Sequence, residues 1–183
     1  MKVNILMATY NGEKFLAQQI ESIQKQTFKE WNLLIRDDGS SDKTCDIIRN
    51  FTAKDSRIRF INENEHHNLG VIKSFFTLVN YEVADFYFFS DQDDIWYLDK
   101  NERQFAIMSD NPQIEVLSAD VDIKTMSTEA SVPHFLTFSS SDRISQYPKV
   151  YDYQTFRPGW TIAMKRDFAQ AIADNWTYGA NIS

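Results

Sequence analysis

The sequence predicts an α/β domain built on a mostly parallel β-sheet with helices on both faces. Two observations predict this fold class. Strand-like and helix-like patterns alternate along the first 120 residues, which is the order expected of successive β-α-β units. The strand-like runs are also continuously apolar, as in "FYFF" at 86–89. Such runs are typical of parallel strands that are covered on both sides.

Six strands are predicted from short runs rich in large apolar residues. In chain order they lie at 3–10, 31–38, 57–64, 85–90, 114–120 and 159–164. Before the sixth strand, residues 124–156 are rich in Ser, Thr and Tyr and contain two prolines. A loop of this length in a compact domain is usually functional or mobile.

Helices are predicted between the strands wherever apolar residues recur at helical spacing. In the first helix, 13–26, the inward residues are Leu16, Ile20 and Ile23; in the second they are Cys45, Ile48 and Phe51; in the third they are Ile72, Phe75, Phe76 and Val79. Asp42 is expected to cap the second helix, and Asp99 with Glu102 to form a capping box for a fourth that runs through Met108. A last helix is predicted at 165–175.

Length and charge narrow the class of protein. The 183 residues are enough for one hydrophobic core, so a single domain, 1–183, is expected. The net charge is −7, and no basic cluster occurs, which argues against a nucleic-acid partner. Cys45 is the only cysteine, which favours a reducing, cytoplasmic setting. No apolar run reaches the roughly 18 residues that a membrane-spanning helix needs.

Polar residues follow three of the predicted strands at the point where each strand ends. They are Thr9, Tyr10 and Asn11 after the first, Asp37, Asp38, Gly39 and Ser40 after the second, and Asp91, Asp93 and Asp94 after the fourth. The carboxyl ends of parallel strands lie at one edge of a sheet, where ligands bind. The sequence therefore predicts five carboxylates along a single crevice.

The acids at 91–94 predict a metal site. Three close carboxylates repel one another, and some would take up a proton if no cation were present. Carboxylate and water oxygens suit Mg²⁺ or Mn²⁺, and Mg²⁺ commonly takes one or two carboxylates and completes its shell with substrate phosphates. Asp91 and Asp93 are thus candidate metal ligands that hold a diphosphate. A helix N-cap or a solvated turn is the alternative.

The segment "RDDGSSDKT" at 36–44 contains a second candidate site. Gly39 and the serines predict a tight turn into a helix. The turn does not account for Asp37 and Asp38, either of which could accept the imide N–H of uracil or thymine. Neither a Walker A pattern nor GxGxxG occurs, so a glycine loop does not cradle the phosphates.

Three segments resemble, in order and spacing, the family 2 glycosyltransferases. They are "MATYNGEKFLAQQIESIQKQTFKEWNLLIRDDGSSDKT" at 7–44, "ENEHHNLGVIKSF" at 63–75 and "FFSDQDDIW" at 88–96. The resemblance is closest to bacterial rhamnosyltransferase-like enzymes of surface polysaccharide synthesis. It implies the GT-A fold, a Rossmann-like arrangement, and inverting transfer from a UDP- or dTDP-sugar to a glycan or lipid-linked acceptor. It also implies Mn²⁺ or Mg²⁺ as cofactor, and a cytoplasmic enzyme with peripheral association at the inner face of the membrane.

The resemblance implies a role for individual residues. Those that would bind the nucleotide are Thr9, Tyr10, Asn11, Asp37, Asp38, Lys73 and Asp91. Asp91 and Asp93 would bind the metal, and Asp94 would lie near the donor sugar as a catalytic candidate. A solvated helix lysine is the alternative for Lys73. Gly159 and Trp160 would belong to the acceptor side.

One expected feature of the family is missing from the sequence. The catalytic base would follow the strand at 159–164 by one helix, in an acidic pair, yet no Glu occurs after Glu129. We therefore expect the base beyond Ser183 and a C-terminally truncated chain. Residues 1–122 would form the nucleotide-sugar half and 123–183 a partial acceptor half. The alternative functions are a metal-dependent nucleotidyltransferase and a non-catalytic module that binds a sugar or a protein partner.

Overall fold

A computed structural model describes residues 1–65, 67–119, 121 and 159–175, except the side chain of Trp160. The described strands are β1 (Val3–Thr9), β2 (Trp31–Asp37), β3 (Ile58–Phe60), β4 (Phe86–Ser90), β5 (Val116–Ser118) and β6 (Ile162–Lys165). The described helices are α1 (Leu16–Gln24), α2 (Thr44–Thr52), α3 (Val71–Tyr81), α4 (Lys100–Asp110) and α5 (Arg166–Asn175).

The described strands form one sheet in the order β3-β2-β1-β4-β6-β5. The four strands β3, β2, β1 and β4 are parallel, whereas β6 is antiparallel to both β4 and β5. The chain builds outward from β1 to β3 and then crosses to the other side of β1 to form β4. The carboxyl ends of β1 and β4 therefore flank the position where the strand order reverses, which is where open α/β sheets bind ligands.

Alternate residues of each central strand point to opposite faces of the sheet. On one face, Ile5, Leu33 and Phe88 pack with residues of α1, α2 and α4. On the other face, Leu6, Leu34 and Tyr87 pack with residues of α3 and α5. Helices thus cover both faces, and the predicted mostly parallel α/β architecture is confirmed.

The structure corrects three predictions about individual elements. Ile72 was expected to face inward but is 42% exposed, while Leu78 and Val79 are buried. The predicted capping box at α4 does not form, because the Glu102 carboxylate accepts a hydrogen bond from Thr27 Oγ1 at 2.5 Å instead. Residues Gly159–Thr161 form a 3₁₀ turn rather than the start of a strand.

The predicted helix-start residue Asp42 does contact its helix. The Thr44 backbone N–H donates to Asp42 Oδ1 at 3.0 Å, so the carboxylate satisfies an N–H group at the start of α2. In α1, the predicted inward residues Leu16, Ile20 and Ile23 are fully buried. The N-terminal half of the fold therefore follows the apolar pattern of the sequence closely.

Candidate functional site

An open cavity of about 270 Å³ lies at the carboxyl ends of the strands that flank the reversal. It brings together five of the predicted site residues: Thr9, Tyr10, Asp38, Asp91 and Asp93. Val71 and Ser74 of α3 also line it, as does Gln92, the residue between the two acids. Three loops that are distant in sequence thus meet in one pocket, as the strand-end pattern predicts.

Asp38 is held in this pocket by a buried network of donors. Its Oδ1 accepts hydrogen bonds from Arg36 Nη1 at 2.6 Å, from the Leu69 N–H at 2.7 Å and from Ser74 Oγ at 3.2 Å. Its Oδ2 accepts from the Gly70 N–H at 2.9 Å. Arg36 is only 3% exposed, so the ion pair between the two side chains is buried.

The network keeps the Asp38 carboxylate charged. Burial raises the pKa of this carboxyl, but the hydrogen bonds, led by that from Leu69, lower the pKa by more, so it lies below its ordinary value. An ionised carboxylate accepts hydrogen bonds and donates none. Asp38 is therefore suited to a ligand group that carries an N–H or O–H.

Asp37 points to the other side of the sheet and stabilises its own turn. Its Oδ2 accepts from the backbone N–H groups of Gly39 and Ser40, and its Oδ1 accepts from Ser40 Oγ and Thr9 Oγ1. Asp37 is 2% exposed and does not line the cavity. Of the two adjacent aspartates, the geometry favours Asp38 as the ligand-binding residue.

Asn11 joins the loop after β1 to the loop after β2. It has a φ of 48°, a left-handed conformation that asparagine tolerates better than most residues. Its Oδ1 accepts from the Ser41 N–H at 2.9 Å, and its own N–H donates to Ser40 Oγ at 2.8 Å. The Gly12 N–H donates to Thr44 Oγ1 at 2.8 Å in the same seam. Asn11 thus stabilises the loops beside the cavity and does not line it, whereas Ala8, Thr9 and Tyr10 do.

The acids after β4 form the second electrostatic feature of the site. Burial and repulsion from Asp93 raise the pKa of Asp91 to about 6. Burial and repulsion from Asp91 and Asp93 raise the pKa of Asp94 to about 7, against a smaller opposite effect of Lys100. Asp94 Oδ2 is buried and has no hydrogen-bond partner in the described part of the chain. Like charges are thus concentrated here without enough compensating positive charge.

This acid cluster fits a divalent cation that a ligand helps to hold. Among the described residues, no group of three or more His, Cys, Asp or Glu side chains is arranged to bind a metal ion alone. Asp91 and Asp93 both line the open cavity, however, and one or two carboxylates with water and phosphate oxygens are a usual ligand set for Mg²⁺. The donor set therefore fits Mg²⁺ or Mn²⁺ bound together with a diphosphate.

Helix α1 fixes the acid-bearing loop through polar side chains that the sequence pattern did not reveal. The Gln19 amide, oriented to satisfy its neighbours, accepts from Trp96 Nε1 at 3.1 Å and donates to the Asp94 carbonyl. The Trp96 backbone N–H donates to Ser22 Oγ at 3.0 Å, and Gln26 Nε2 donates to the Tyr97 backbone carbonyl at 2.7 Å. Gln19 and Ser22 of α1 and Gln26, two residues past its end, are all buried, and their spacing is the only sequence signal of their role.

Lys100, at the start of α4, is a second unanticipated neighbour of the acids. Its Nζ lies 3.7 Å from the centre of the Trp96 ring and donates to Gln104 Oε1 at 3.0 Å. Burial lowers the pKa of Lys100 to about 7, while attraction to Asp94 acts in the opposite direction. Burial therefore favours the neutral form of both Asp94 and Lys100.

Four other predicted site residues do not line this cavity or have side chains outside the described part of the chain: Asp94, Lys73, Gly159 and Trp160. Lys73 lines a separate groove with Phe76, Asn80 and Ala173, on the side of α3 that faces α5. The interpretation of Lys73 as a nucleotide contact is therefore not favoured, because Val71 and Ser74 occupy the helix face toward the cavity. Gly159 is exposed in the 3₁₀ turn, and the Trp160 side chain lies outside the described residues.

Comparison with known proteins identifies the family. A family model described as glycosyl transferase family 2 matches residues 4–172. The chain belongs to glycosyl transferase family 2. The E. coli UDP-Glc:alpha-D-GlcNAc-diphosphoundecaprenol beta-1,3-glucosyltransferase WfgD is 38% identical over 109 residues, 60% of this chain and 42% of that protein. The dTDP-rhamnosyl transferase RfbG of Shigella flexneri is 40% identical over 97 residues, 51% of this chain and 34% of that protein.

Solved structures of other glycosyltransferases confirm the GT-A fold of this family 2 chain. S. aureus TarS 1–349 superposes with a TM-score of 0.68 at 20% identity, covering 96% of this chain and 49% of TarS 1–349. The mannosyltransferase PcManGT from Pyrobaculum calidifontis, in complex with GDP-Man and Mn²⁺, has a TM-score of 0.58 at 16% identity, covering 63% of this chain and 34% of its own. At these identities the likeness shows the fold alone.

The chain spans about two fifths of the length of the first curated relatives that it matches. In the described part of the chain, no helix combines the length and the apolar character that crossing a membrane requires.

Proposed function

We propose that this family 2 chain binds a UDP- or dTDP-sugar together with Mn²⁺ or Mg²⁺, and that the enzyme is an inverting glycosyltransferase. The observation that carries the proposal is the shared cavity. It places Asp38, a buried and ionised acceptor, and the Asp91–Asp93 acids in one pocket at the strand-order reversal. A nucleoside diphosphate has a base with an N–H at one end and phosphates that bind cations at the other, which matches this arrangement.

Asp38 recognises the base. Uracil and thymine carry an N3–H that can donate a hydrogen bond to a carboxylate. N3 of cytosine carries no hydrogen and is itself an acceptor. Asp38 Oδ2 accepts one hydrogen bond, from the Gly70 N–H, so it retains capacity for another. The buried Arg36 keeps the carboxylate charged and fixed. Tyr10, which is 52% exposed, and Thr9 complete the nucleoside side of the cavity.

Asp91 and Asp93 hold the cation on the diphosphate side. When bound, the cation neutralises charge that develops on the departing nucleoside diphosphate. The two carboxylates would hold such a cation, and the contacts of helix α1 to the loop keep the loop that carries them in place. Asp94 is proposed to lie near the donor sugar, on the basis of its position next to these ligands.

The acceptor is proposed to be a glycan or a lipid-linked saccharide, and the reaction to take place at the cytoplasmic side of a membrane. The relatives support this choice by their names, since WfgD acts on a diphosphoundecaprenol-linked acceptor. Gly159 and Trp160, in the 3₁₀ turn before β6, are proposed to face the acceptor. That the catalytic base follows Ser183, and that residues 1–122 form the nucleotide half, stay predictions.

Calorimetric titration with UDP and with dTDP, each in Mn²⁺ and in EDTA, tests the proposal. We expect one of the two nucleotides to bind and its affinity to fall at least about tenfold when the metal is removed, because the diphosphate then faces bare carboxylates. Asp93→Asn should reproduce most of that loss in the presence of Mn²⁺. Asp110→Asn, which changes an exposed acid at the end of α4, is the matched control.

The titrations and an assay of pyrophosphate release separate the alternatives. A binding module for sugars or proteins would show no metal dependence and no nucleotide affinity. A nucleotidyltransferase would instead release pyrophosphate from a nucleoside triphosphate in the presence of a sugar phosphate. The proposal would be overturned if neither nucleotide bound more tightly with Mn²⁺ than in EDTA. It would also be overturned if Asp93→Asn bound the nucleotide as tightly as the unmodified chain does.

A further inference from the structure

Gln92 lies between the two candidate metal ligands, but its side chain is bonded to a different loop. The Tyr10 backbone N–H donates to Gln92 Oε1 at 2.9 Å, and Gln92 Nε2 donates to the Tyr10 carbonyl at 3.0 Å. The primary amide therefore bridges both polar groups of one backbone residue. No other side-chain hydrogen bond is recorded for the Tyr10 backbone in the described part of the chain.

Gly12 leaves the space that this contact requires. A Cβ atom built on Gly12 would lie 2.3 Å from Gln92 Oε1 and 2.7 Å from Gln92 Cδ, distances that real side chains do not reach. Its φ is not in the left-handed region, so the backbone alone does not demand glycine here. An alanine at position 12 would therefore force the Gln92 amide, the end of a flexible side chain, out of its contact with Tyr10.

We infer that Gln92 is a positioning residue that fixes Tyr10 for nucleoside binding and ties the base side of the cavity to the metal side. The inference rests on the proposed function. Gln92 belongs to the acid-bearing loop after β4, whereas Tyr10 belongs to the loop after β1, and both line the cavity. A rigid amide link between them sets the distance from the nucleoside contacts to the carboxylates, which a nucleoside diphosphate must span.

A simpler role for Gln92 would be to separate Asp91 from Asp93. If Gln92 were only a spacer, any small residue at position 92 would preserve nucleotide affinity, and a substitution at Gly12 would not change that affinity. The positioning role predicts instead that Gly12→Ala, which leaves all the acids and Gln92 in place, has the same effect as Gln92→Ala. It further predicts that Gly12→Ala has no added effect once the Gln92 side chain is removed, because the steric conflict is then absent.

UMP and dTMP in EDTA are the probes, because a nucleoside monophosphate retains the base and ribose contacts and omits the metal bridge. We expect Gln92→Ala and Gly12→Ala each to weaken binding of the preferred monophosphate about fivefold to tenfold, because Tyr10 must then be ordered when the nucleotide binds. The double variant should bind like Gln92→Ala. The factor by which Mn²⁺ strengthens nucleoside diphosphate binding should also fall in both single variants, because the distance between the nucleoside contacts and the carboxylates is then no longer fixed. Gln113→Ala, at an exposed glutamine far from the cavity, is the control.

Hydrogen exchange at the Tyr10 amide provides a readout that does not depend on a ligand. Exchange at this amide should be faster in Gln92→Ala and Gly12→Ala than in the unmodified chain, while the amides of β1 keep their rates. Unchanged monophosphate affinity in Gln92→Ala, or strictly additive losses in the double variant, would overturn the inference and leave the proposed function standing. If the unmodified chain bound neither monophosphates nor diphosphates with Mn²⁺, the proposed function would fail, and the inference with it.

Discussion

Asp38→Asn should destabilise the protein far more than the same change at the adjacent Asp37. The Asp38 carboxylate faces fixed nitrogen donors at both oxygens: Arg36 Nη1 and the Leu69 N–H at Oδ1, and the Gly70 N–H at Oδ2. An amide nitrogen placed on either side would meet an N–H group and not an acceptor. The substitution would also leave the buried Arg36 guanidinium without a counter-charge.

The magnitude follows from the burial of the ion pair. Removing one partner of a buried pair typically costs about 3 to 5 kcal/mol, because the remaining charge is uncompensated. For comparison, whole domains unfold with about 5 to 15 kcal/mol. At Asp37, an amide can keep its oxygen toward the Gly39 and Ser40 N–H groups, and its nitrogen then meets the hydroxyls of Thr9 and Ser40, which can rotate to accept. We expect a cost there of about 1 kcal/mol.

Urea unfolding at pH 7, followed by circular dichroism, measures both effects. Arg36→Met combined with Asp38→Asn should be more stable than Asp38→Asn alone by at least about 1 kcal/mol, because it removes the unpaired charge. If Asp38→Asn lost less free energy of unfolding than Asp37→Asn, the assignment of the buried pair would be wrong. Additive losses in the double variant would likewise refute it.

Three further predictions concern contacts of Lys73, Gln19 and Asp55. Lys73→Met should leave the affinity for UDP or dTDP within about twofold by calorimetry, because Lys73 lies in the groove toward α5; a loss like that of a phosphate ligand would restore the nucleotide-contact interpretation. Gln19→Leu should lower the free energy of unfolding by about 1 to 3 kcal/mol, because the buried Trp96 indole N–H loses its acceptor; urea unfolding with no loss would contradict that contact. The hydrogen bonds from Arg57 hold the pKa of Asp55 well below its ordinary value. Asp55→Asn should therefore cost about 1 to 2 kcal/mol at pH 7, and this difference should shrink as the pH falls below about 4 and toward the folded-state pKa; a difference independent of pH would contradict it.

Much of the fold could be predicted because apolar periodicity and strand-end polarity are local signals. Continuous apolar runs gave β1, β2 and β4, and one helical stripe of Leu16, Ile20 and Ile23 gave α1. The meeting of three loops at one cavity then followed from the topology of parallel strands. Each of these steps needs only sequence order and the physical requirement that apolar faces be buried.

The errors occurred where the sequence pattern fits more than one tertiary arrangement. The third helix has apolar residues at most angles around its axis, so nothing local shows that Ile72 is exposed and Leu78 is not. Glu102 satisfies the spacing of a capping box, yet Thr27 from a distant loop competes for its carboxylate. The sequence also suggested no partner for Gln92, because the Tyr10 backbone is 82 residues away.

The two aspartates of "DDGS" show why adjacent residues of the same type take different roles. Leu33 and Ile35 of β2 pack toward α1 and α2, and Asp37 follows them in the two-residue alternation toward the turn that leads into α2. Leu34 and Arg36 point to the opposite face, and Asp38 continues on that side toward Gly70 and Ser74 of the α3 region. The alternation therefore commits Asp37 to shaping the turn and leaves Asp38, paired with Arg36, at the cavity. Moving the pair by one residue would exchange these roles, so the cavity requires an acid specifically at the second position.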